Sequence, residues 1–241
     1  MEQWFISAKK ADFNGIARHF GISPVLARLM RNRNLTTEEE MRKYLYGSLE
    51  DLYEPSLLKD AEKGVQVIKE KIMAGKKIRI ISDYDVDGVS SNYILYRGLA
   101  RCGAQVDYRI PDRVADGYGI NEHLIDQAYE DGVDTVITCD NGIAAAEQIS
   151  YGNGLGMTFV VTDHHDVPFV EKDGVRTEQI PEAAAVINPK QEDCAYPFKN
   201  ICGAVVVYKF IELLYDAFGI GRREAQEFLE IAAMATVCDV M

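Results

Sequence analysis

Three short segments of the 241-residue chain concentrate side chains that bind cations and move protons. The first is Ser82-Asp83-Tyr84-Asp85-Val86-Asp87-Gly88, with aspartates at every second position; the others are Asp140-Asn141-Gly142 and Asp163-His164-His165. Taken singly, each has an ordinary explanation. An Asp-rich turn caps a helix, Asp-Asn-Gly makes a turn, and paired histidines on a loop are common at surfaces. Their joint position argues for more, because each directly follows an apolar run of strand type: Ile78–Ile81, Thr135–Cys139 and Thr158–Thr162. In a parallel sheet the carboxyl ends of the strands open on one crevice, where ligands bind. Five aspartates and two histidines therefore converge there. Carboxylates so crowded repel and raise one another's pKa unless cations sit among them. Oxygen-rich donor sets with one or two imidazoles suit Mn2+ or Mg2+, and two such ions sharing a carboxylate are a device for in-line attack on phosphorus. The expected chemistry is phosphoester hydrolysis.

The elements that position these residues alternate. Helices are expected over 58–74, 89–101, 121–130 and 143–150, interleaved with strands at 78–81, 105–110, 135–139 and 158–162 and a fifth strand at 184–187; two amphipathic helices, 202–218 and 222–236, follow. Such alternation means an α/β domain, a Rossmann-like parallel sheet with helices on both faces. Residues 1–57 read as an N-terminal helical extension and 58–241 as the catalytic domain. In the extension, Thr36 followed by Glu39 gives a capping-box pattern, and Arg18, Arg28, Arg31 and Arg33 make a locally basic stretch that reads as a solvated face rather than a nucleic-acid contact. The Asp, Glu, Val and Pro content of 164–182 suggests a long surface loop, and Gly152-Asn153-Gly154-Leu155-Gly156 precedes a strand and reads as a connector.

Composition excludes several classes. No run approaches the ~20 apolar residues of a membrane span, and the first residues lack a secretion signal, so a cytoplasmic protein without membrane contacts is expected. Five cysteines without a C-x-x-C pair suggest neither a disulfide framework nor a thiolate zinc site, and read as small core residues. The net charge of −12 opposes broad nucleic-acid binding. Divalent cations among the clustered acids would invert the local field.

With these segments assembled, the chain resembles the DHH phosphoesterases. Asp83-Tyr84-Asp85-Val86-Asp87-Gly88 is similar to their first motif, and Asp163-His164-His165 is the triplet that names them. Further pieces follow in family order: Ile110-Pro111-Asp112-Arg113 with Gly117-Tyr118-Gly119, Asp140-Asn141-Gly142-Ile143, Asn188-Pro189-Lys190, Cys202-Gly203-Ala204 and Thr236-Val237-Cys238-Asp239-Val240. Within the family the pattern is most similar to the single-strand-specific DNA exonucleases.

The resemblance implies that Asp85 and Asp140 bind one metal while Asp87, Asp140, His164 and Asp239 bind the other, with Asp140 as bridge. Asp83 is implied as a further ligand of the first ion or a hydrogen-bond partner beside it. Asp163 is implied to orient His164, His165 to stabilise charge on the scissile phosphate, and Arg113 and Lys190 to hold phosphate oxygens. The implied cofactor is two Mn2+ ions, with Mg2+ as the alternative, and the implied substrate is single-stranded DNA, hydrolysed 5′ to 3′ in repair and recombination. Relatives continue into a second domain, so the chain reads as truncated, and contacts with other repair proteins are expected from those further regions. Rival readings are a DHH phosphodiesterase for short oligonucleotides or cyclic dinucleotides, a pyrophosphatase, and a non-catalytic replication scaffold. The first two groups tend to carry a histidine a few residues before the first Asp-x-Asp pair, which Ile78–Ser82 lacks, and the scaffold relatives have lost ligands that are intact here.

Overall fold

The computed structural model describes residues 9–114 and 116–241. The chain divides into two compact units, the first ending at Tyr53 and the second running from Glu54 to Met241.

In the first unit three helices, α1 (Phe13–Phe20), α2 (Pro24–Asn32) and α3 (Glu38–Tyr46), bury Phe20, Met30 and Met41 together. Each start is capped by a side chain that accepts an otherwise unpaired amide: Asp12 for α1, Ser23 for α2 and Thr37 for α3. The capping box is Thr37 with Glu40, one residue later than the Thr36 and Glu39 pattern suggests. Glu40 is the acid that turns back, accepting from the amides of both Thr36 and Thr37 at 2.7 and 2.9 Å.

The second unit begins with a 3-10 turn, Pro55–Leu57, followed by α4 (Ala61–Met73), β1 (Lys77–Ser82), α5 (Val86–Arg101), β2 (Gln105–Arg109), α6 (Glu122–Glu130), β3 (Thr135–Cys139), α7 (Ala146–Gly154) and β4 (Thr158–Thr162). A small antiparallel hairpin, β5 (Phe169–Lys172) with β6 (Val175–Glu178), precedes β7 (Ala185–Ile187), α8 (Gly203–Ala217) and α9 (Leu229–Cys238). The hairpin corrects the reading of 164–182 as plain loop. Asp173 and Gly174 at its tip both have positive φ, 53° and 76°, the two-residue turn whose twist matches paired strands. The segment before α9 also differs from expectation, since Arg222–Phe228 is a 3-10 helix.

The sheet order is β2-β1-β3-β4-β7, with every neighbouring pair parallel. Successive strand residues face opposite sides, so both sides need cover. On one side Val136, Phe159, Val161 and Val186 pack with Leu124, Ile125 and Ala128 of α6 and Ile149 of α7. On the other, Gly64 of α4 lies against Ala185, Ile187 and Phe210, and Gly98 of α5 against Ile211 of α8. Gly152 belongs to α7 rather than to a connector; a β-carbon there would run into the Phe159 ring. Cys102, Cys139, Cys194 and Cys202 are buried as expected, whereas Cys238 is exposed. No helix among the described residues is long and apolar enough to cross a membrane.

The strand order fixes the site. From β1 the chain runs outward to β2 and then returns past β1 to β3, so the order reverses between β1 and β3. At such a reversal the loops leaving the two strands diverge and open a crevice at their carboxyl ends.

Candidate metal centre

Leaving β1, the chain turns directly into α5, whose N-cap is Asp85; its Oδ1 accepts from the Gly88 amide at 2.9 Å. Gly88 approaches the Asp83 backbone too closely for a β-carbon. Asp85 is exposed, while Asp83 and Asp87 on either side of it are buried. Asp87 is gripped by the start of α8: the Gly203 amide donates to Oδ2 at 2.6 Å and the Ala204 amide to Oδ1 at 2.8 Å.

Beyond β3, Asp140 adopts a left-handed conformation with φ 60°, which residues with a β-carbon rarely take and which stores strain. Its amide donates to the Thr162 carbonyl at 3.0 Å. The side-chain amide of Asn141 donates to the carbonyls of Ile81 and Cys139 at 3.1 and 2.9 Å, stitching together the exits of β1 and β3.

Beyond β4, Asp163 uses both oxygens on its own surroundings. Oδ1 accepts from the amides of His164 and His165 at 2.7 and 3.1 Å and from His165 Nδ1 at 2.8 Å; Oδ2 accepts from the Ile143 amide at 2.9 Å. Asp163 therefore orients the ring of His165, which corrects the assignment of that role to His164. A short side chain folded back over its own loop reaches the second ring, whereas the first turns inward. His164 Nε2 lies 3.0 Å from Asp140 Oδ1, 3.5 Å from Asp87 Oδ2 and 3.6 Å from Asp239 Oδ2. Asp239 is the C-cap residue of α9.

Among the described residues, three overlapping groups have ligand atoms within 4.8 Å of one another: Asp83 with Asp85 and Asp140, Asp87 with His164 and Asp239, and Asp140 with His164 and His165. These groups can hold divalent metal. Buried polar atoms almost always find a hydrogen-bond partner, yet Asp83 Oδ1, Asp140 Oδ1, Asp239 Oδ2 and both ring nitrogens of His164 have none. All these residues are members of the three groups, so the donor set fits cations.

The electrostatics agree. Burial first, and then Asp87, Asp85, Asp163 and Asp83, push the Asp140 carboxyl up to about 11. Burial likewise raises Asp83, with Asp85 adding, and Asp239, with Asp87 and Asp85 adding. Burial lowers His164, and the neighbouring charge of His165 lowers it further, favouring the neutral form that can act as a ligand. The hydrogen bond that His165 donates to Asp163 holds His165 above the usual histidine range. Burial works against an ionised Asp163, but that same bond, the His165 charge and the amides of Ile143 and His165 prevail and bring its carboxyl below the ordinary value. Adjacent histidines thus have opposite characters.

The remaining expected residues lie around this core. Arg113 is exposed, its guanidinium 5.3 Å above the Tyr84 ring, and its charge reaches Asp83. Lys190 Nζ is 3.0 Å from Asp166 Oδ1. The Lys190 amide donates to Asn188 Oδ1 at 2.8 Å, and Asn188 in turn donates to the His165 carbonyl at 2.9 Å. Sequence reasoning gave no role to Asn188, to the Gly203 and Ala204 amides, or to Tyr118, whose hydroxyl donates to the Asp140 carbonyl at 3.1 Å. The available signal was their place in short motifs rich in glycine, proline and asparagine.

The family described as "DHH family, N-terminal domain" matches residues 77–236. Over 240 residues, 99% of this chain and 29% of the relative, the chain is 32% identical to the single-stranded-DNA-specific exonuclease RecJ of Bacillus subtilis (strain 168). The protein of the same name from Escherichia coli (strain K12) is 29% identical over 230 residues, 91% of this chain and 38% of the relative. The chain thus spans less than two fifths of the length of either relative. A crystal structure of exonuclease RecJ bound to manganese is similar at a TM-score of 0.64 and 28% identity, over 76% of this chain and 44% of that one. RecJ from Thermus thermophilus, in complex with Mn2+, has the same fold at a TM-score of 0.68 and 24% identity, over 95% of this chain and 30% of that one.

Proposed function

The chain belongs to the DHH family, and from that premise we propose that residues 58–241 form the metal-dependent catalytic domain of a hydrolase that releases 5′-mononucleotides from single-stranded DNA. The direction, 5′ to 3′, and a place in cytoplasmic DNA repair and recombination follow from the sequence resemblance. One observation carries the reading: Asp83 Oδ1, Asp140 Oδ1, Asp239 Oδ2 and both ring nitrogens of His164 are buried without hydrogen-bond partners, and all belong to residues that group as ligands. The names of the relatives support single-stranded DNA as the substrate.

Two Mn2+ ions, with Mg2+ as the alternative, suit this donor set. Asp85 and Asp140, with Asp83 beside them, would hold one ion; Asp87, Asp140, His164 and Asp239 would hold the other. Bound there, the ions would supply an activated water at neutral pH and positive charge for the phosphoryl oxygens. The protein's own groups do the rest. His165 is partly exposed and kept rich in protons by Asp163, so it can donate to a phosphoryl oxygen as negative charge grows there. Arg113 offers a planar fork to two phosphate oxygens, and Lys190 a point charge.

The test is release of nucleotides from 5′-labelled DNA in the presence of manganese, comparing single-stranded with duplex substrates and adding a chelator. Label should appear first as mononucleotide, from single strands only, and vanish with the chelator. Absence of release with either Mn2+ or Mg2+, or release beginning at the 3′ end, would overturn the proposal.

A further inference from the structure

Tyr118 occupies a place that neither the metal groups nor the phosphate contacts require. Its hydroxyl oxygen lies 3.1 Å from the backbone carbonyl of Asp140 and 3.2 and 3.4 Å from Nε2 and Nδ1 of His165. The two rings meet edge to face, 5.8 Å apart at 82°. One oxygen atom thus touches the residue at the centre of the ligand cluster and the histidine beside it.

The backbone around Tyr118 is shaped for this contact. Gly117 and Gly119 have φ of 78° and 69°, conformations that L side chains rarely adopt. A β-carbon at Gly119 would stand 3.3 Å from Asn141 Cβ, so the loop lies directly on the exit of β3. The carbonyl that Tyr118 holds belongs to a residue in the left-handed region.

We infer that Tyr118 is a positioning residue, whose hydroxyl fixes the Asp140 peptide and the His165 ring relative to each other. Asp163 holds His165 from one side; Tyr118 holds it from the other. The exposed ring of Tyr118 invites a different use, as a platform on which a base stacks, and the two uses predict different variants.

The inference rests on the proposed phosphodiesterase reading, and its test is separable from that reading. Tyr118→Phe keeps the ring and removes only the hydroxyl. In the full chain with manganese and a single-stranded oligodeoxynucleotide, kcat should fall on the order of ten-fold, the size of one lost hydrogen bond, with KM unchanged. In the metal-free protein the imidazole nitrogen resonances of His165 should shift, while circular dichroism stays that of the unmodified chain. A fully active Tyr118→Phe with unmoved His165 resonances would overturn the inference, as would a change confined to KM. If the unmodified chain hydrolyses nothing, the functional reading fails, and the His165 resonances alone still decide what the hydroxyl does.

Discussion

The carboxylate of Asp87 takes both of its hydrogen bonds from the first turn of α8, with Gly203 N on Oδ2 at 2.6 Å and Ala204 N on Oδ1 at 2.8 Å. Free amides and the positive end of the helix dipole meet there, so α8 stabilises one acid of a cluster that otherwise repels itself. A β-carbon at Gly203 would stand 2.9 Å from Asp140 Cβ and 3.1 Å from both Asp140 Oδ1 and Asp87 Oδ2. Gly203→Ala should leave the helical content intact and weaken manganese binding on the order of ten-fold, the usual effect of disturbing what orients a ligand. Calorimetric titration checks it; unchanged affinity would mean that the acids relax freely.

The two histidines should separate cleanly. His164→Ala removes a buried nitrogen lying among three carboxylates and should abolish or strongly weaken one manganese site. His165→Ala should keep both sites and lose on the order of 100-fold in rate, as charge-stabilising donors do. Metal titration beside nuclease rates tests the pair, and the reverse pattern would exchange their roles.

Removing metal should expose the cost of the cluster. Asp140 is pushed up to about 11 from an ordinary 3.8. A carboxyl raised in the folded state favours folding below its unfolded value, and that contribution is lost as pH rises toward the folded one. The chelated protein should therefore melt at a lower temperature at about pH 8 than at about pH 5. Manganese at a hundred times its Kd should restore about 2.7 kcal/mol per site at neutral pH. Asp140→Asn should stabilise the metal-free protein by about 1 kcal/mol and erase the response to manganese. Thermal melts with and without chelator provide the comparison.

A second electrostatic feature is structural and has the opposite sign. Arg79 of β1 is buried and bonds Asp107 of β2 through Nε and Nη2 at 2.7 and 2.8 Å, and Asp131 through Nη2 at 2.7 Å. Burial pushes Asp107 up, but Arg79 and Lys77 outweigh it, and the Arg79 hydrogen bond lowers Asp131 as well. Lowered carboxylates contribute stability above their unfolded values and lose it as pH falls through the folded ones. Arg79→Leu should cost on the order of 2 kcal/mol at pH 7, below the usual figure for a broken buried pair because both acids keep water contact. The gap should narrow only below about pH 4. Urea midpoints at the two pH values measure it.

The strands of the main sheet and their acidic exits were legible because runs such as Thr135–Cys139 and Thr158–Thr162 end directly in charged residues, and only a sheet covered on both faces accommodates such apolar runs. Other features were not. Gly203 and Ala204 act through backbone amides, which carry no side-chain signature, on an aspartate distant in sequence. The preference of Asp163 for His165 over His164 depends on side-chain torsions that adjacent identical residues do not encode. Thr36 and Thr37 precede Glu39 and Glu40 by the same spacing, so pattern alone left the capping register open. The β5–β6 hairpin was readable from Asp173-Gly174 and was masked by the polar composition around it.

Asp239 belongs to the tip of α9, an element that packs on α5 and α8. Asp83, Asp85 and Asp140 lie at the exits of β1 and β3, about a hundred residues or more before Asp239 in the chain. The group formed by Asp83, Asp85 and Asp140 includes no residue of α9, whereas the group of Asp87, His164 and Asp239 is complete only with the end of α9 in place. The docking of α9 on α5 and α8 and the completion of the second group are thus one and the same event, whereas the first group draws on no residue of that helix.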